Sequence, residues 1–154
     1  MLAIINAEPK DAEEIIELQR LAYQSEAKLY NDWTLPALTQ TVESLKEEFE
    51  TSVILKAVSD NNIIGSVRAK VEEGVCKIGR LIVHPEFQRQ GIGSSLLKHI
   101  ERIHENVNSF ELFTGSKSVS NIRLYEKHGY VVSHTKAMSE NVSITFLVKP
   151  NTHL

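Results

Sequence analysis

Apolar and polar positions along this chain follow two periods, and the switches between them mark its elements. Residues 2–7 are a short apolar run suited to a first strand. Asp11, with Glu14 three residues later, carries an N-terminal helix signature. Ile15, Leu18 and Ala22 then recur at helical spacing, which predicts a helix over residues 12–24. Residues 25–35 break that pattern. Beyond Pro36, the positions Leu38, Val42, Leu45 and Phe49 fall on one apolar stripe of a second helix, with Lys46, Glu47 and Glu48 on its solvated face.

Period two takes over in the middle of the chain. Residues 53–58, 63–71 and 75–83 read as strands, separated by a polar turn at 59–62 and by Glu73-Gly74. Short connections between consecutive strands imply an antiparallel meander. His84-Pro85 ends the third strand, because proline cannot donate to the ladder. Helical spacing returns at Ile92, Leu96, Ile100 and Ile103, in a helix that opens near Gly91. Residues 110–114 read as a strand. Ser118 can cap a further helix that Gly129 closes, and residues 130–137 and 142–148 read as two final strands. The pattern has no repeat and no linker. It predicts one α/β (α+β) domain over residues 1–154, a mixed, mostly antiparallel sheet of about seven strands flanked by about four helices.

Composition narrows the function. A chain of 154 residues with a net charge of −3 lacks the basic stripe of a nucleic-acid binder. Its single cysteine, Cys76, excludes a disulfide framework within the monomer and a Cys-rich metal site, and reads as a small core residue. The first residues have no signal-peptide pattern, and no apolar run approaches the ~20 residues of a membrane span. The expectation is a cytoplasmic protein with no metal, membrane or nucleic-acid partner.

The segment Gln88-Arg89-Gln90-Gly91-Ile92-Gly93-Ser94 carries the most chemistry. It joins a strand to a helix. Its glycines permit a tight turn, and the first amides of the helix lack intrahelical partners, so the turn suits a bound pyrophosphate. A P-loop would need Gly-Lys-Ser/Thr, and a dinucleotide fingerprint a third glycine where Leu96 stands. Taken alone, a two-glycine helix start with no ligand remains an equal reading.

The run Leu81-Ile82-Val83-His84-Pro85-Glu86-Phe87-Gln88-Arg89-Gln90-Gly91-Ile92-Gly93 closely resembles the acetyl-CoA signature of the GCN5-related N-acetyltransferase (GNAT) superfamily. The resemblance extends to the order of elements over nearly the whole chain. It implies that the strand holding Leu81, Ile82 and Val83 splays from its neighbour. The Val83 backbone would then pair with the pantetheine arm, and the Leu81 amide would face the thioester carbonyl. The amides of Arg89, Gln90, Gly91, Ile92, Gly93 and Ser94, after Gln88, would wrap the pyrophosphate.

The run from Ser118 to Tyr130, SVSNIRLYEKHGY, resembles the second cofactor motif of the same superfamily. Ser118, Asn121 and Tyr125 share one helix face. Asn121 would bind a pantetheine amide, and Tyr125 would protonate the departing thiolate as general acid. Many relatives carry Asn where this chain has Ser118.

The general base is not assigned. Some relatives place a Glu where Lys77 stands here, and others one near Phe113. Glu111, Glu72 and His84 remain candidates, as does a water chain. His99 and His104 read as solvated residues.

The resemblance also implies that the segment with Tyr23, Tyr30, Asn31, Asp32 and Trp33 shapes the acceptor side, although Trp33 could equally pack over the edge of the core. The function it implies is transfer of acetyl from acetyl-CoA to a primary amine by direct attack. Two alternatives are a non-catalytic acyl-CoA sensor of the same fold and a nucleotide-binding protein using the same loop. A homodimer paired through the last strands is expected as well.

Overall fold

In the computed structural model, which describes residues 2–152, β1 (Leu2–Asn6) pairs antiparallel with β2 (Val53–Ser59). From there β2, β3 (Asn62–Glu72) and β4 (Val75–Val83) form the expected meander. Both of its hairpins turn on residues with positive φ, Asp60-Asn61 and Glu73-Gly74, as two-residue loops require. β4 then lies parallel to β5 (Ser109–Gly115). Two antiparallel partners complete the sheet, β6 (Val131–Ala137) and β7 (Ser143–Pro150), in the order β1-β2-β3-β4-β5-β7-β6. The mixed, mostly antiparallel seven-stranded sheet is thus the one the pattern predicts.

The helices are more divided than their periodicity suggested. Among the described residues there are α1 (Ala12–Ala22), α2 (Gln24–Tyr30), α3 (Pro36–Thr39), α4 (Val42–Glu48), α5 (Ile92–Ile103) and α6 (Val119–Lys127). The predicted helix over 12–24 stops at Ala22, and the stretch read as irregular resumes as α2. Only Ala27 and Tyr30 of α2 are buried, too few apolar positions to show a helical period. The predicted helix beyond Pro36 is interrupted where Gln40 turns extended. Thr41 caps the restart, its hydroxyl accepting the Ser44 amide at 3.1 Å.

The cause of that interruption lies across the sheet. Arg68 of β3 is 5% exposed and points at the helices. It donates to Gln19 Oε1 and Gln40 Oε1 and pairs with Glu48 at 3.3 Å. Breaking the helix at Gln40 brings that amide to the guanidinium, since a buried charge is tolerated only when paired and hydrogen-bonded. Glu48, expected on a solvated face, is therefore spent on this pair.

Two hydrophobic cores follow. One face of the sheet packs Ile54, Ile63 and Ile82 against Ile15, Ile16 and Leu45 of α1 and α4. The other packs Val67, Ile78 and Leu147 against Leu96, Leu97 and Ile100 of α5. Cys76 is fully buried there, and burial, helped by nearby Glu101, pushes its thiol up to about 12. It is a core side chain, as its position in the strand suggested.

Candidate functional site

A bulge in β4 organises the site. Arg68 of β3 pairs with Gly79 and Ser66 with Ile82, so Val67 alone opposes both Arg80 and Leu81. Arg80 takes the left-handed conformation, φ 50°. Such a bulge bends and twists its strand. On its other side, β4 pairs with β5 only through Val75–Ser109, Cys76–Phe110 and Lys77–Glu111. Beyond those pairs the two parallel strands separate. The space between them is a cleft of about 440 Å³, with Ile78 to Leu81 on one wall and Leu112 to Gly115 on the other.

At the mouth of the splay the chain passes through His84-Pro85 and enters α5. His84 Nδ1 accepts the Glu86 amide at 3.1 Å and its ring meets Phe87 edge-on, so it serves the turn. Gly91 takes φ 82°, where a side chain is strained, and stands at the N-cap. The Ser95 amide reaches the Gly91 carbonyl at 3.0 Å. Among the described residues, the amides of Arg89 to Ser94 have no acceptor. These unpaired donors at the positive end of a three-turn helix fit the diphosphate of a coenzyme A.

The third part is α6. Its face carries Ser118, Asn121 and Tyr125, the latter two lining the cleft with Leu81. The Asn121 amide donates to Thr114 Oγ1 at 3.3 Å, which leaves its carbonyl oxygen available. Tyr125 is 6% exposed, and burial, reinforced by Tyr23 and Glu26 nearby, pushes its phenol above the usual range. It remains protonated at neutral pH. Ser118 sits at the N-cap as expected, but its hydroxyl does not cap. It donates to Glu26 Oε2 at 2.5 Å and lies 3.2 Å from the Tyr30 hydroxyl. The Lys117 amide also donates to Tyr30, at 2.7 Å. α2 is thereby clasped to the start of α6.

Leu81, Asn121 and Tyr125 meet in the cleft, while Gln88 to Ser94 lie apart at the start of α5. Ile82 turns away into the core under α1 and α4, and the Ser94 hydroxyl is engaged by His128 at 2.9 Å. Val83 is half-buried at the strand's end.

None of the candidate bases lines the cleft. Glu72 pairs with Lys77 at 3.2 Å and with Lys70 at 3.4 Å, at the far end of the β3–β4 hairpin. His99 and His104 are half-buried, their Nδ1 atoms held by the carbonyls of Ser95 and Ile100, and are not simply solvated. Trp33 is 54% exposed, so it does not cover the core. The sequence reading missed Glu26 and Arg80, both in the cleft wall. Gly79 inside a strand was the available sign of a bulge beside Arg80. Among the described residues, no cluster of three metal-ligating side chains forms, and no helix is long and apolar enough to cross a membrane.

The model of the acetyltransferase (GNAT) family matches residues 12–130. The chain belongs to the GNAT acetyltransferase family. UPF0157 protein YqkA of Bacillus subtilis is 25% identical over 134 residues, which are 87% of this chain and 38% of that protein. The chain thus spans well under half the length of that relative. Glucosamine 6-phosphate N-acetyltransferase of Schizosaccharomyces pombe is 28% identical over 95 residues, 55% of this chain and 85% of that enzyme. The fold matches PaiA N-acetyltransferase of Thermoplasma acidophilum, solved in complex with coenzyme A, with a TM-score of 0.80 and 20% identity. That match covers 97% of this chain and 99% of the other. The GNAT fold expected from the two motifs is therefore the fold observed.

The clasp depends on a bare backbone at Gly115, where a Cβ would overlap the Tyr30 hydroxyl and ring. Gly115→Ala is expected to cost about 1–3 kcal/mol in urea denaturation, the usual penalty of overpacking. Combining it with Tyr30→Ala should cost less than the sum of the two changes. Strict additivity would show that the residues do not touch.

Proposed function

We propose that the chain transfers an acetyl group from acetyl-CoA to a primary amine by direct attack. The observation that carries this reading is the meeting of Leu81 and a protonated Tyr125 in one cleft, on a chain whose unpaired amides open α5. When bound, acetyl-CoA supplies the acetyl thioester. The amides of Arg89, Gln90, Gly91, Ile92, Gly93 and Ser94 hold its diphosphate. The Leu81 amide donates to the thioester oxygen as negative charge gathers there, and Asn121 and the Val83 backbone hold the pantetheine arm. The neutral amine forms the new N–C bond, Tyr125 gives its proton to the sulfur as the C–S bond breaks, and the proton shed by the amine nitrogen passes through solvent to restore the phenol. An amine acceptor is supported by the names of two of the similar proteins, glucosamine 6-phosphate N-acetyltransferase and PaiA N-acetyltransferase.

β6 is an edge strand whose seven residues are all exposed, with Val131 at 63% and Val132 at 45%. This surface supports a homodimer formed through the last strands. Sedimentation at micromolar concentration should give twice the monomer mass, and a monomer would overturn that part. The reading also assigns the chain to the cytoplasm, which cell fractionation checks.

Acetyl-CoA turnover against a panel of primary amines tests the activity. Thiol release with at least one amine is expected. Coenzyme A binding with no turnover would favour the sensor reading. Gly91→Asp should raise the Kd for coenzyme A by about tenfold or more, because it sets a carboxylate beside the diphosphate. Gly91→Asn, which tolerates the same φ without the charge, should stay near wild type. Tyr125→Phe should lower kcat by about 10- to 1000-fold while coenzyme A binding is retained. The raised phenol predicts no basic limb from Tyr125 near pH ~10, its ordinary range, in the wild-type rate profile. A Phe variant with wild-type kcat would remove Tyr125 from the mechanism.

A further inference from the structure

The cleft wall holds charges that the acetyl-transfer reading leaves unused. Arg80 lies at the bulge, half-buried, and its guanidinium faces the Tyr23 phenol, which is not a counter-charge. Among the described residues it enters no ion pair. A second guanidinium, Arg68, is close enough to repel it, and the carboxylate of Glu48 is already paired with Arg68. A half-buried cation so placed calls for an anion from outside the chain.

Glu26 stands on the α2 side of the same cleft. Among the described residues it too enters no ion pair, and the Ser118 hydroxyl donates to its Oε2 at 2.5 Å, which leaves Oε1 available. Glu26 and Tyr125 line the same cleft. Asp32, the third charged residue of the lining, is occupied at Oδ1 by the Thr34 amide at 2.8 Å and hydroxyl at 2.6 Å. Leu35, Phe113, Met138 and Ile144 make much of the remaining wall apolar.

We infer that this cleft takes an amino-carboxylate acceptor with an apolar side chain, Arg80 holding its carboxylate and Glu26 its ammonium. The inference rests on the acetyl-transfer reading above. An amino-carboxylate neutralises both unpaired groups at once. A diamine would leave Arg80 without an anion and set a second cation beside it. A guanidinium meets a carboxylate through two parallel N–H donors, a geometry that an amide or ester cannot satisfy equally.

The test compares leucine, leucinamide and a linear diamine as acceptors for the full chain. Thiol release from acetyl-CoA reports turnover. Leucinamide keeps the ammonium and side chain of leucine and lacks only the carboxylate. Wild type is expected to favour leucine over leucinamide by about 10- to 100-fold in kcat/KM, the value of a charge-assisted pair. Arg80→Gln should bring that ratio near one while coenzyme A affinity shows that the variant is folded. Glu26→Gln, which can still accept from Ser118, should raise KM for both.

Equal use of leucine and leucinamide, or preference for the diamine, would overturn the inference and leave acetyl transfer standing. Absence of turnover with every amine would remove the acetyl-transfer reading instead. Calorimetric titration of leucine into the coenzyme A-bound protein then decides the inference alone, with no binding counting against it. If Arg80→Gln does not fold, Arg80→Lys serves. Keeping the charge but losing the paired donors, it should give an intermediate ratio, and an unchanged ratio would count against the assignment.

Discussion

Past Lys77 and Glu111, β4 and β5 have no ladder between them, and the rest of the molecule is arranged around that gap. A parallel pair that parts midway leaves main-chain groups unpaired inside the fold, which is costly unless something holds the strands apart. Each strand is committed elsewhere. The bulge at Arg80 and Leu81 bends β4 while it stays paired with β3 on either side of it, and β5 is paired along its whole length with β7. The cleft is thus a consequence of two strong antiparallel ladders that diverge from a short parallel one.

The elements lining the gap are tied to each other. α2 reaches α6 through Glu26 and Tyr30 on one side and Lys117 and Ser118 on the other. Gly115 at the end of β5 makes room for the Tyr30 ring. α2 and the start of α6 are therefore tied directly to one another. Anything that displaces α2 also displaces the start of the helix that carries Asn121 and Tyr125.

Charge divides into two populations by partnership. Arg68, Lys56 and Lys149 are each buried or half-buried against a carboxylate: Glu48, Asp11 and Glu101 in turn. Glu101 additionally accepts from the buried Tyr130 hydroxyl at 2.7 Å, binding α5 to the chain beyond α6. These groups are satisfied internally and hold elements in place. Arg80 and Glu26 have the same chemistry but, among the described residues, no ionic partner, and both line the cleft. The contrast separates charges neutralised within the fold from charges that are not.

The meander, the His84-Pro85 stop, the glycine turn and the helix after it were legible in the sequence because each depends on neighbours a few residues away. Period two, proline's missing donor and the left-handed φ at Gly91 are local matters. So was the shared face of Ser118, Asn121 and Tyr125, which one helical repeat fixes. The break at Gln40 was not legible, since it answers to Arg68 across the sheet. Nor was the role of Ser118, whose hydroxyl left the cap for Glu26, 92 residues away. α2 hid for the same reason, because Glu26 and Tyr30 tie it to Lys117 and Ser118, far away in the chain, and it has no apolar period of its own. Above all, no local pattern states where β4 and β5 part, since the width of that gap is set by ladders on their opposite edges. The sequence by itself determined the elements and the cofactor motifs. Only the tertiary structure decided which charges were left unpaired and placed in the cleft, because pairing is a property of residues far apart in the chain.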